Sequence, residues 1–145
     1  AGKTEQQTVE VKLDPRLDTS TAGLQQRFDT LMQVHDAMNR LNTSLNAAID
    51  ARTALQSASS GKAKKAAEAL THDINQFVNL QIQSGEGGLV YPPRLRSWLS
   101  YISNALGEQF VQPTPAMIKV KDLFVGEANA AVKTLDADVA KAKAL

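Results

Sequence analysis

A helical pattern that runs without a breaker from about Ser20 to Ala58 constrains this chain more than any other stretch of it. Leu24, Leu31, Met38 and Leu45 recur once per heptad, with Phe28, Val34, Leu41, Ile49 and Leu55 on flanking positions. Together they form a wide apolar stripe on one side of a helix. At ~1.5 Å per residue that helix is over ~50 Å long, a bundle spine rather than a helix laid on a sheet. Its stripe has to be covered by other helices. Ser20 or Thr21 supplies a capping oxygen at its start, and Ser57, Ser59, Ser60 and Gly61 form the cluster that ends it.

The remaining sequence offers three such covers. A second helix is expected from about Lys62 to Gln83, with Ala66, Leu70, Ile74, Phe77 and Leu80 or Ile82 facing inward. Ser84-Gly85-Glu86-Gly87-Gly88 lacks the spacing of a dinucleotide or phosphate loop and reads as an inter-helix connection, with Leu89-Val90-Tyr91 as a short extended piece across the bundle end. Pro92-Pro93 then opens a third helix, from about Arg94 to Leu106, that turns Leu95, Leu99, Ile102 and Leu106 inward. Thr114 as cap and Pro115 at the first helical position start a fourth, running to about Lys143 with Met117, Val120, Phe124, Ala128, Ala131, Leu135 and Val139 inward. Steps of three and four are the spacing bundles use, so residues 19–145 predict an all-α, up-down-up-down four-helix bundle. In the hairpin of the last two helices, turning near Gln112, Trp98 falls level with Gly126, which suggests a ring packed over a missing side chain.

Residues 1–18 read as a linker and extended arm. Val9, Val11 and Leu13 alternate with Glu10 and Lys12, the period of a half-buried strand, but no second strand follows. A lone strand leaves its backbone groups unpaired, so this one either lies along the bundle or pairs with a sheet outside these residues. Pro15 then turns the chain by fixing its own backbone and pushing Asp14 out of the helical region.

The run Val9-Glu10-Val11-Lys12-Leu13-Asp14-Pro15-Arg16-Leu17, followed by Thr19-Ser20-Thr21-Ala22-Gly23-Leu24-Gln25-Gln26-Arg27-Phe28, resembles the C-terminal segment of large secreted bacterial proteins built on sialidase-type β-propeller repeats. Those proteins are often labelled sortilin-like or glycosyl-hydrolase-like. In them a last strand ends in a similar Asp-Pro-Arg turn and leads into helices, and Pro113-Thr114-Pro115 looks like the same pattern. The resemblance covers most of the chain and carries no catalytic residue onto it. It implies a C-terminal helical appendage of an exported protein, secreted or periplasmic, with the parent-chain β-propeller domain or another protein as its partner.

The residues themselves point away from chemistry. Cysteine is absent, which removes disulfides and thiolate ligands together. A net charge of +1 argues against nucleic acid as a partner, since such binders need a cationic surplus on one face. No apolar run approaches the ~20 residues that cross a bilayer, so membrane insertion is not expected, and Ala1 to Gln7 carry no signal-peptide core. The pairs His35-Asp36 and His72-Asp73 invite a metal reading. In an antiparallel hairpin turning near Ser60, however, the two histidines stand roughly 20 Å apart along the axis. Glu68 and His72 supply half of a di-iron motif with no second half in the sequence. Lys62, Lys64 and Lys65 read as a solvated helix face. Glu127, Asp136 and Asp138 fall outside the inward positions of their helix.

No catalytic residue, metal ligand or cofactor is therefore expected. His35, Asn42 and Arg52 interrupt the first helix's apolar side and are expected to pair with one another or with a neighbouring helix, fixing register. Tyr91, Arg94, Trp98 and Tyr101 are the residue types that anchor protein interfaces, and they are the candidate partner-binding set. The expected function is a non-enzymatic structural or interaction module. A periplasmic small-molecule sensor bundle, which uses pockets between long helices, is the alternative. A metal-dependent helical hydrolase is a third.

Overall fold

Two side-chain caps fix where the long helices begin. Ser20 Oγ accepts from the Gly23 amide at 3.0 Å, and Thr114 Oγ1 accepts from the Met117 amide at 3.2 Å. Each satisfies an amide that has no partner within its helix. The computed structural model describes residues 3–58, 60–78, 92–108 and 110–145, and these form four helices packed as an all-α bundle. They are α1 (Thr21–Gln56), α2 (Gly61–Phe77), α3 (Leu95–Glu108) and α4 (Pro115–Lys143). The second helix was expected to reach Gln83. The expected Leu80 and Ile82 contacts, the Ser84–Gly88 connection and Leu89-Val90-Tyr91 lie outside the described residues.

Cross-helix hydrogen bonds set the directions. Along α1 and α4 the pairs are Gln26 with Gln112 just before α4, Gln33 with Lys121, Arg40 with Asn129 and Ser44 with Asp136. Both numbers rise together, so these helices are parallel. Against α3 the pairing runs the other way: Arg27 reaches the carbonyls of Leu106 and Gly107, while Arg96 donates to Asn42. The end of α2 and the start of α3 share one hollow, lined by Phe77, Pro93 and Leu95 among others, and the two helices make few contacts with each other.

The direction order is therefore up, down, down, up, and the expected up-down-up-down alternation is corrected. α2 and α3 stack end to end as one broken rod antiparallel to α1, with α4 as the third rod. The physical reason lies in length: helices of 17 and 14 residues each cover about half of a 36-residue spine. Side by side, they would leave half of α1's stripe bare.

The core lies along the line where the rods meet. Leu41, Leu70, Ile74, Leu99, Leu106 and Leu135 are fully buried, and each stabilises the fold by roughly 2 kcal/mol relative to exposure. On α1 the seam runs through Gly23, Thr30, Val34, Ala37, Leu41, Ser44, Leu45 and Ala48. It is rotated from the expected large-residue line, and Leu24, Leu31 and Met38 flank it half-buried. Small residues sit at its centre because three rods crowd there, and on α4 Ala128, Ala131 and Ala142 do the same. Gly23 shows how close the approach is: a Cβ added there would stand 3.2 Å from Gln112 Cβ.

Two expected core residues point outward. Phe28 is 55% exposed and Val120 44%. Conversely Lys121, absent from the expected core, is only 6% exposed, and its ammonium donates to Gln33 Oε1 at 2.5 Å and to Asp122 Oδ1. Gly126 meets nothing within 4 Å of an added Cβ, so Trp98 does not pack over it as expected. All four inward positions of α3 are buried as the spacing implies.

The N-terminal arm forms no strand among the described residues. Asp14 and Arg16 close a turn, with Arg16 Nη2 at 2.6 Å from Asp14 Oδ2 and the Leu17 amide bonded to the Asp14 carbonyl at 3.0 Å.

Candidate interaction surface

Arg94, just ahead of α3, and Trp98 and Tyr101 follow at steps of four and three, which puts them on one stripe about 100° round the helix from Leu95, Leu99, Ile102 and Leu106. With that second set buried, the first lies along the rim of the α3–α4 seam. Trp98 is 41% exposed and Tyr101 67%. The Trp98 ring lies flat on Phe124 of α4, with centroids 5.8 Å apart and planes at 11°, and Tyr101 meets its edge at 6.4 Å and 84°. These are the two arrangements aromatic quadrupoles favour. Three of the four candidate residues are thus brought to one face. Tyr91 lies outside the described residues.

The rings divide two hollows. Above them, where α2 gives way to α3, an open cleft of about 540 Å³ is lined by Phe77, Pro93, Arg94, Trp98, Phe124 and Glu127, among others. Below them, a shallower groove of about 320 Å³ runs between Tyr101, Ile102 and Ala105 of α3 and Ala116, Met117 and Val120 of α4. Phe124 and Phe77 were assigned to the core from helical spacing. Both are half-buried, because each faces the break between α2 and α3, where no described residue covers its outer side. Nothing in a single-helix pattern signals that.

Other polar groups are dispersed. His35 contacts Asp36 at 3.4 Å and Asn39, and His72 contacts Gln76 at 2.8 Å, so each ring meets only its own helix. Among the described residues no three His, Cys, Asp or Glu side chains converge as a metal site would require. Glu68, Lys62, Lys64 and Lys65 are exposed. Asn42 pairs with Arg96 of α3, as a register-fixing residue should, whereas the buried Arg52 Nε has no partner among the described residues.

The carboxyl groups of Asp73 of α2 and Asp138 of α4 lie next to each other. Burial, then the hydrogen bond and charge of Asp138, push Asp73 up from its ordinary value. Asp138 is held down, chiefly by the hydrogen bond from Lys141 at 2.8 Å. The pair joins α2 to α4, and neither residue lines a hollow found among the described residues. No helix among the described residues is long and apolar enough to cross a membrane.

Comparisons with protein families, with curated proteins and with solved structures find no match to this chain.

Proposed function

We propose that this chain is a non-enzymatic protein-interaction module that presents the Arg94, Trp98 and Tyr101 face of α3, backed by Phe124, to a protein partner. The exposed aromatic pair carries the reading: rings held rigid by stacking on Phe124, beside an arginine, bind with little loss of conformational freedom. The resemblance of the N-terminal run adds the setting, a helical appendage of a larger exported protein, secreted or periplasmic. A photo-crosslinking amino acid at Tyr101, compared with one at the exposed Lys133 of α4, tests the surface in the host. Protein adducts formed at Tyr101, absent at Lys133 and lost with Arg94→Glu, are expected. Equal labelling at both positions contradicts the proposal.

The cleft between α2 and α3 favours one further reading, a small-molecule sensor, since its ~540 Å³ is the size of a ligand pocket. Trp98 is the only tryptophan. A ligand seated there would quench its emission and raise the melting temperature together. A screened panel of small carboxylates and aromatics that moves neither disposes of this reading.

A further inference from the structure

The net charge of +1 hides a segregation that only the packing exposes. Residues 51–67 and 139–145 hold Arg52, Lys62, Lys64, Lys65, Lys141 and Lys143, and no aspartate or glutamate. Six of the chain's 16 basic residues are there and none of its 15 acidic ones, so the remainder of the chain is left with a net charge of −5. In sequence these are two separate stretches. In the fold they are the end of α1, the start of α2 and the end of α4. Ser44 pairs with Asp136, so Arg52 falls level with the end of α4, and Asp73 beside Asp138 sets α2 running back from the same end. At ~1.5 Å per residue the six cations lie within ~12 Å of one another along the bundle axis. The five lysines are exposed and Arg52 is half-buried. Lys141 is held by Asp138 at 2.8 Å, and the other five cations form no ion pair among the described residues.

This concentration works against the fold. Lys62 and Lys65 stand one turn apart, and the first turn of α2 has no acidic residue to offset them or to complement the helix dipole. A negative partner relieves that repulsion, and the residue types say which kind. Five of the six cations are lysines, compact charges on long stems that suit a diffuse negative surface, whereas protein interfaces are enriched in arginine and aromatic rings and depleted in lysine. Residues 51–67 and 139–145 contain no aromatic residue on which a base could stack. The cations gather at a blunt end of the bundle and line no groove that would track a nucleic-acid backbone. A plane of phosphates requires neither feature.

We propose that this end of the bundle adsorbs to an anionic lipid surface through Lys62, Lys64, Lys65 and Lys143, with Arg52 adding to their field and no segment inserted. Each cation held near such a surface strengthens binding about fivefold. Arg96 of α3 pairs with Asn42, ten residues up the spine from Arg52. An upright bundle therefore holds the start of α3, and the Trp98 and Tyr101 face with it, ~15 Å clear of the lipid. The inference is independent of what that face binds.

The test is co-sedimentation of the full chain with phosphatidylcholine vesicles, with and without about 30% phosphatidylglycerol, at about 0.05 M and 0.5 M salt. Binding is expected only to the anionic vesicles and only at low salt. The triple variant Lys62→Gln, Lys64→Gln, Lys65→Gln should weaken it about 100-fold. A control with the same change in net charge, Lys12→Gln, Lys119→Gln, Lys133→Gln, should stay within about threefold of the parent, because these exposed lysines lie away from the tip. Helical circular dichroism equal to that of the parent shows that both variants are folded. Absence of binding to anionic vesicles at low salt overturns the proposal, as do equal binding to neutral vesicles and equal losses in the two variants. Tighter binding per phosphate to a duplex oligonucleotide than to the vesicles also overturns it, and assigns the tip to nucleic acid.

Discussion

Trp98 and Phe124 lie nearly parallel and offset, with ring centroids 5.8 Å apart across the α3–α4 seam, and the tryptophan is 41% exposed. Phe124→Ala removes the floor under the indole. A stability loss of about 1–3 kcal/mol is expected, below that of a fully buried Phe because Phe124 is half-buried. Emission of the sole tryptophan should shift red and become easier to quench with acrylamide. A mutant with unaltered emission would show that the stack does not persist in solution.

Arg27 ties α1 to the end of α3. Its Nε and Nη2 donate to the Leu106 and Gly107 carbonyls, both at 2.6 Å, and its guanidinium lies 5.3 Å from the Phe110 ring centroid. Those carbonyls have no partner within the helix, so the arginine acts as a cap supplied from outside. Arg27→Ala should cost about 1.5–3 kcal/mol in urea unfolding. Arg27→Lys should recover less than half, since an ammonium lacks the planar fork whose Nε and Nη2 reach the two carbonyls separately.

What was legible in the sequence was local. Ser20, Thr114 and Pro115 marked helix starts because caps and proline geometry act within four residues. Leu95, Leu99, Ile102 and Leu106 were readable because α3 has a single buried face. The direction of α3 and α4 was not legible, because an apolar stripe does not say which neighbour covers it. Lys121 was missed for a related reason: its burial depends on Gln33, 88 residues away, taking its proton donors. In the candidate site, Arg94, Trp98 and Tyr101 could be grouped by spacing, but Phe124 joined them only once two rods were set side by side.

Lys121 itself yields a contrast between two substitutions. Methionine keeps the volume and removes the charge, and the desolvation of the ammonium goes with it, so Lys121→Met should change stability by no more than about 1 kcal/mol. Lys121→Ala removes the stem as well and leaves a void where it packed, and should cost about 2–3 kcal/mol. Equal losses for both would mean that the ammonium, not its stem, holds the seam.

The Asp73–Asp138 contact predicts an unusual pH response. A carboxyl whose folded pKa is raised stabilises at low pH, and that stability is lost as pH rises through the folded value. One whose folded pKa is lowered stabilises above its ordinary value and loses this as pH falls. Asp73 is raised and Asp138 lowered, so their slopes oppose and the pair favours the fold most near 3.8. Asp73→Asn keeps a donor for Asp138 and removes the ionised partner. It should stabilise the protein at pH 7, by ~0.5 kcal/mol or less given the partial exposure, and leave it unchanged near pH 3. Denaturant titrations at the two pH values measure the difference, and a gain at pH 3 would reverse the assignment.

The cleft above Trp98 exists because α2 and α3 share one rod, and a single distance tests that arrangement. Spin labels at the exposed Lys62 and Glu108 mark the outer ends of the broken rod. Gly107 sits level with Arg27, and Lys62 sits just across the turn from the end of α1. At ~1.5 Å per residue of spine, the labels should be about 40–45 Å apart by double electron–electron resonance. A distance near ~15 Å would mean that the two short helices lie side by side, and would contradict both the rod and the cleft it creates.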